Sequence, residues 1–163
     1  MKTIHLTQGK RAVVDDEDYE RVEAFTWCAV STVCSRRIIW YAMSRSQGRR
    51  SLMHRVILGI SDRRVLVDHR DGDGLNNRRD NLRPCTTRQN ALARHTTQAI
   101  SGLRGVHFDG RYRRRPWIVY VRGDGRARYV GCFATRREAA AAWAVAASAA
   151  YGEFANVIPP AND

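Results

Sequence analysis

The stretch Val67 to Asn90, VDHRDGDGLNNRRDNLRPCTTRQN, decides how this chain is read. It begins inside a β-branched apolar run, Val65 to Asp68, and passes into a long polar segment dense in Asp, Gly and Asn, the residues of turns. A second short strand is expected over Leu82 to Cys85. Thr86 and Gln89 have the spacing of a capping box, so a helix should begin at Thr86 or Thr87 and carry Asn90 in its first turns. The unit is therefore strand, loop, strand, helix. Asp68 and His69 end the first strand, Asn81 opens the second and Asn90 sits on the helix, so one small cleft can gather a carboxylate, an imidazole and two amides. Such a set suits phosphodiester hydrolysis. A hard divalent cation prefers oxygen, and Asp68 and Asn90 could supply the one or two protein ligands that Mg²⁺ commonly takes. His69, with a reference pKa of ~6.5, is mostly neutral at pH 7 and can accept a proton from water. The ion would stabilise charge on the phosphate and on the departing 3′ oxygen.

At these residues the segment resembles the HNH (His-Asn-His) endonuclease motif, in the Asn-rich form common in phage and intron-encoded homing endonucleases. The resemblance implies a ββα-metal (His-Me finger) nuclease unit with its core at about residues 65–95. By position His69 matches the general base, Asp68 and Asn90 the metal ligands, and Asn81 the middle asparagine that orients the base and braces the loop. The third position is Asn90 rather than histidine, which favours a hard ion, Mg²⁺ or Mn²⁺, one per site. Duller readings apply to some of these residues. A calcium loop at DGDGLNN is dismissed, because Leu75 and Asn76 fall where a further oxygen ligand and the glycine of an EF-hand are needed. Asn76 and Asn77 are expected to stitch the loop backbone. His54, in LMHRVIL, stands where related endonucleases often have a histidine; structure or a phosphate contact is its expected role rather than catalysis.

Working outward to the N-terminus, the sequence predicts short strands around one helix. Alternation over Thr3 to Leu6 and the apolar step Ala12 to Val14 read as strands, and the acidic Asp15 to Glu20 suits a helix start, with the helix ending near Phe25. Trp27 to Val30 and Ile38 to Met43 are strand-like, with Trp27, Trp40 and Tyr41 expected in the core. Ser44 to Ser51 reads as a turn or loop, and Leu52 to Leu58 as a short helix carrying His54.

On the other side, residues 97–101 read as a linker between an endonuclease domain at 1–96 and a second domain at 102–158, with a tail at 159–163. Three strands are expected, Arg104 to Phe108, Trp117 to Arg122 and Arg128 to Phe133, followed by a helix. Thr135 and Glu138 form a second capping box, and Ala139, Ala142, Trp143, Ala146, Ala147 and Ala150 recur at helical spacing. Trp117, Val119 and Val121 alternate with Ile118, Tyr120 and Arg122, so one face packs on the helix and the other is free for a ligand. The region resembles the Apetala-two (ethylene-response-factor) DNA-binding domain through RGV at 104–106, WIVYVR at 117–122, RYVGCF at 128–133 and the alanine-rich helix. The resemblance implies a three-stranded sheet in the major groove of double-stranded DNA. Arg104, His107, Tyr120, Arg122 and Tyr129 would face DNA by position, and Arg113, Arg115 and Arg128 by charge. His107 and Tyr129 depart from the family's usual arginine and tryptophan, so its target sequence does not transfer.

Composition agrees with a polyanionic partner: 28 basic against 16 acidic residues give a net charge of +12 over 163 residues. Only Lys2 and Lys10 are lysine, and guanidinium groups suit phosphates and guanine edges. The alanine-rich segment 139–151 is too short and weakly apolar to span a bilayer, and no charged start precedes an apolar export core, so neither a membrane protein nor a secretory signal is expected. Cys28, Cys34, Cys85 and Cys132 form no CxxC pair and read as reduced thiols. The expectation is an α+β, cytoplasmic, monomeric DNA endonuclease, phage or mobile-element encoded, with a divalent ion and no small-molecule cofactor. The alternatives are a DNA-binding regulator with an inactive nuclease unit and a recombinase accessory factor.

Overall fold

The computed structural model describes residues 1–34, 37–46, 49–93, 104–123 and 126–155. The expected linker at 97–101 and tail at 159–163 lie outside them. The chain forms two compact units, Met1–Asn90 and Ala91–Asp163, each mixed α and β.

The first unit opens with an antiparallel hairpin of β1 (Lys2–His5) and β2 (Arg11–Val14). Ile4, Ala12 and Val14 point into the core, as the alternation requires. Helix α1 (Asp16–Glu23) follows, with three acidic residues in its first turn. A three-stranded sheet comes next, β3 (Trp27–Cys34), β4 (Arg37–Ser46) and β5 (Arg49–Leu52), with β4 in the middle. Of residues 44–51, expected as a turn or loop, 44–46 instead finish β4 and 49–51 form most of β5, while 47 and 48 lie outside the described residues. Their arginine and serine content hid the strand, because an edge strand needs no apolar alternation to pair its backbone. Trp27 is buried as expected, and its indole Nε1 donates to the Val22 carbonyl at 2.7 Å. Trp40 packs against the core only partly buried. Helix α2 (Met53–Leu58) buries Met53, His54 and Ile57, and ends at Gly59 with a left-handed φ of 66°. The unit closes with the ribbon β6 (Leu66–His69) and β7 (Leu82–Cys85), which leads into α3 (Thr87–Ala93). The expected capping box is present: Thr86 N–H donates to Gln89 Oε1 at 2.8 Å, and Gln89 N–H to Thr86 Oγ1 at 3.2 Å.

The second unit contains an antiparallel sheet of β8 (Val106–Phe108), β9 (Trp117–Gly123) and β10 (Arg126–Phe133), with β9 central, and helix α4 (Arg136–Tyr151). Both halves of the Thr135/Glu138 capping box form. Ala139, Ala140, Trp143 and Ala147 of α4 share a core with Val106, Val119 and Val121, so small residues bring the helix backbone close to the sheet. Ala150, expected on that face, is exposed. Gly105, at φ 71°, leaves room that a Cβ would take from the Tyr120 carbonyl and the Trp143 indole.

Candidate active site

The site is built on the end of the β6–β7 ribbon and the loop 70–81 that joins its strands. Asp68 and His69 are neighbours on β6, so the pleat sends their side chains to opposite faces. Asp68 lies across from Arg83, whose Nη2 and Nε reach Asp68 Oδ2 at 2.6 and 2.8 Å. His69 turns towards the core and is 7% exposed. Its ring centroid lies 5.1 Å from that of His54 and 5.8 Å from that of Tyr41. The single cleft expected from the sequence is thus divided between two faces of one ribbon, because the period of a strand is two.

His69 Nε2 is buried and has no hydrogen-bond partner. Burial pushes the His69 pKa below its usual value, opposed by the neighbouring Asn77 amide and by the carboxylates of Asp71, Asp68 and Asp73. The ring is accordingly neutral at pH 7. His54, expected to be structural or to touch phosphate, is 5% exposed. Its pKa is pushed down to about 3 by burial, then by His69 and Arg55, so it too is neutral. Tyr41 completes the cluster, 5.9 Å from His54.

The loop is held on both sides. Internally, Asn81 Nδ2 donates to Asp71 Oδ1 at 2.9 Å and to the Asn76 carbonyl at 2.8 Å, while its Oδ1 accepts from Asp71 N–H at 3.1 Å. Asn76 Nδ2 donates to Asp71 Oδ2 at 2.7 Å, and Asp73 Oδ1 accepts from Leu75 N–H. Asn81 therefore ties Asp71 to Asn76 within the loop, and the carboxylates of the rejected calcium reading accept hydrogen bonds from the loop itself. Asn77, expected to stitch backbone, is fully buried and donates to the Leu75 carbonyl at 3.1 Å.

Externally, β2 and α1 clasp the same loop. Val13 N–H donates to the Leu75 carbonyl at 2.9 Å, and Asn77 N–H to the Val13 carbonyl at 2.8 Å. Arg78 Nε and Arg79 N–H reach the Asp15 carboxylate at 3.1 and 2.8 Å. Arg79 forms a two-point pair with the buried Asp18, both contacts at 2.7 Å. Gly74 presses so closely on β4 that a Cβ there would fall on the Trp40 carbonyl and the Tyr41 ring. Tyr41, Asp15, Asp18 and Arg83 are site residues that the sequence does not single out. Only Arg83 leaves a signal there, since a hairpin drawn from Asp68 sets it across the ribbon.

Asn90, the fourth residue of α3, is half-buried, its N–H on the Thr86 carbonyl at 2.9 Å. Among the described residues no three His, Cys, Asp or Glu side chains converge as a metal cluster. The donors left for an ion are a carboxylate and an amide carbonyl. Hard oxygens of this kind fit Mg²⁺ or Mn²⁺, which fill their shells with water and phosphate. A cation at Asp68 would share the carboxylate with Arg83.

In the second unit, Tyr120 and Tyr129 are cross-strand partners with ring centroids 5.7 Å apart, and His107 meets Tyr120 at 6.0 Å. These exposed rings form a row across three strands. Arg122 is exposed on the same face by alternation, and Arg113 and Arg115 are exposed in the 109–116 loop. Two expected members lie elsewhere. Arg104 precedes β8, and its guanidinium donates to the carbonyls of Leu92 and Ala91 at 2.9 and 3.1 Å. Arg128 pairs with Val121, which puts it on the face opposite Tyr120.

Residues 59–92 match the family model described as HNH endonuclease, which supports an HNH nuclease in this chain and DNA as its substrate. The matched segment contains Asp68, His69, Asn81 and Asn90. No curated protein and no solved structure matches the chain. Among the described residues, no helix is long and apolar enough to cross a membrane.

Proposed function

We propose that this chain is a metal-dependent HNH endonuclease of the homing or phage type, which hydrolyses DNA phosphodiester bonds at sites selected by an ethylene-response-factor-like sheet in its second unit. The observation that carries the reading is His69: a neutral imidazole with an unpartnered nitrogen, at the end of a strand inside the matched segment. His69 takes a proton from the attacking water as its oxygen bonds to phosphorus and the bond to the 3′ oxygen breaks. His54 and Tyr41 hold the ring on one side, and the Asn81-braced loop holds the strand end. A divalent ion, bound through Asp68 and Asn90, would neutralise charge on the phosphate and the departing oxygen. His107, Tyr120, Tyr129 and Arg122, with Arg113 and Arg115, form the DNA-reading set.

A second reading, a DNA-binding protein with a silent nuclease unit, draws on the Arg83 guanidinium that occupies Asp68. Supercoiled plasmid incubated with Mg²⁺ separates the two. The nuclease reading expects cleavage by the wild type and a loss of about 10²–10⁴-fold in His69→Ala, with unchanged DNA affinity. Binding without cleavage by the wild type, across Mg²⁺ and Mn²⁺, would leave the silent reading standing.

A further inference from the structure

The first unit carries an open cavity of about 760 Å³ that the catalytic roles above do not use. Arg49, Arg50, Arg55 and Arg63 line it, with Val56 and Ile60. Arg55 builds its wall, donating to the carbonyls of Val65 and Asp62, both at 2.7 Å. The Asp62 carboxylate, beside the lining residues Ser61 and Arg63, is paired with Arg64 at 3.2 Å. Arg49, Arg50 and Arg63 are exposed and make no ion pair among the described residues. Arg45 lies directly across from Arg50 in the β4–β5 ladder. Like charges facing each other on adjacent strands destabilise a sheet. Arg50 thus faces a like charge across the ladder, and the lining of the cavity contains, among the described residues, no carboxylate, which favours an external anion.

We infer that this groove is a second DNA contact, binding the phosphate backbone of the strand that His69 cleaves, with Arg49, Arg50 and Arg63 as its phosphate ligands and Arg45 adding field. The partner rests on the nuclease reading above; the anionic character of the ligand does not. The six-residue helix α2 connects the groove to the catalytic centre, since Arg55 follows His54, which packs on the His69 ring. A groove contacting only phosphates adds affinity without sequence preference, and it holds the substrate near the base while the second unit reads the sequence.

The test is the salt dependence of binding of the full chain to a random-sequence duplex, in EDTA so that no cleavage occurs. Each phosphate contact contributes about 0.9 to the slope of log K against log salt. The R49Q/R50Q/R63Q variant should lower that slope by about 2 to 3 and weaken binding at least about tenfold at 0.1 M salt. The R49K/R50K/R63K variant should retain the slope, because a point charge serves a phosphate. Circular dichroism melts of both variants check that they fold. An unchanged slope in the folded glutamine variant overturns the groove, even if the wild type cuts plasmid. A reduced slope in a protein that never cuts leaves the groove standing and removes the nuclease.

Discussion

The loops at 70–81 and 109–116 read alike, RDGDGLNNRRDN and DGRYRRRP, yet they differ in what holds them. The first is pinned from outside by residues distant in sequence: Asp15 and Asp18 grip Arg78 and Arg79 from 61 to 64 positions away, and Val13 pairs with its backbone. The second is tied locally, with Asp109 accepting from Arg111 two residues on, while Arg113 and Arg115 remain exposed. The difference follows from the tasks proposed for them. A loop next to a general base must hold a strand end still, whereas a loop that meets a flexible polyanion needs charge and freedom to adjust.

Arg79→Ala should have the largest effect on this contrast. It leaves Asp18, 1% exposed, as a buried carboxylate without its partner. Breaking a fully buried pair costs about 3–5 kcal/mol; because Arg79 is itself partly exposed, a loss of about 2–3 kcal/mol in urea unfolding is expected. An unchanged midpoint would mean that the clasp does not hold the unit.

Next comes pH. The His54 pKa is about 3 in the folded protein against 6.5 in the unfolded chain, so below pH 6.5 the unfolded state binds the extra proton. Stability is then lost as pH falls from 6.5 towards 3, by up to about 1.4 kcal/mol per pH unit for this group. His69, shifted in the same direction, adds to the slope. His54→Gln should flatten the profile of unfolding free energy between pH 6.5 and 4, and a profile parallel to wild type would show that His54 is not buried neutral.

The smallest effect belongs to the second loop. Arg113→Gln with Arg115→Gln should leave the melting temperature unchanged and lower the salt slope of DNA binding by about one for each phosphate that is no longer neutralised. A shifted melting temperature would show that this loop, too, is part of the unit's framework.

Much of the architecture was legible because it is local. Capping boxes at Thr86 and Thr135 act over three residues, and the alternation of Trp117 to Arg122 separates core from ligand face within a single strand. The strand-loop-strand-helix order around His69 follows from the same short-range rules. Strand β5 was hidden because its ladder partner, not its composition, makes it a strand.

What the sequence determined by itself was therefore the set of elements apart from β5, and the segment that carries the candidate base. Tertiary structure alone decided that His54 and Tyr41 would wall in His69, and that two acids, Asp15 and Asp18, would hold the loop. It also set four arginines around one cavity. Those contacts join residues far apart along the chain. No propensity or spacing encodes them, since their geometry exists only after the hydrophobic core has brought the strands and helices together.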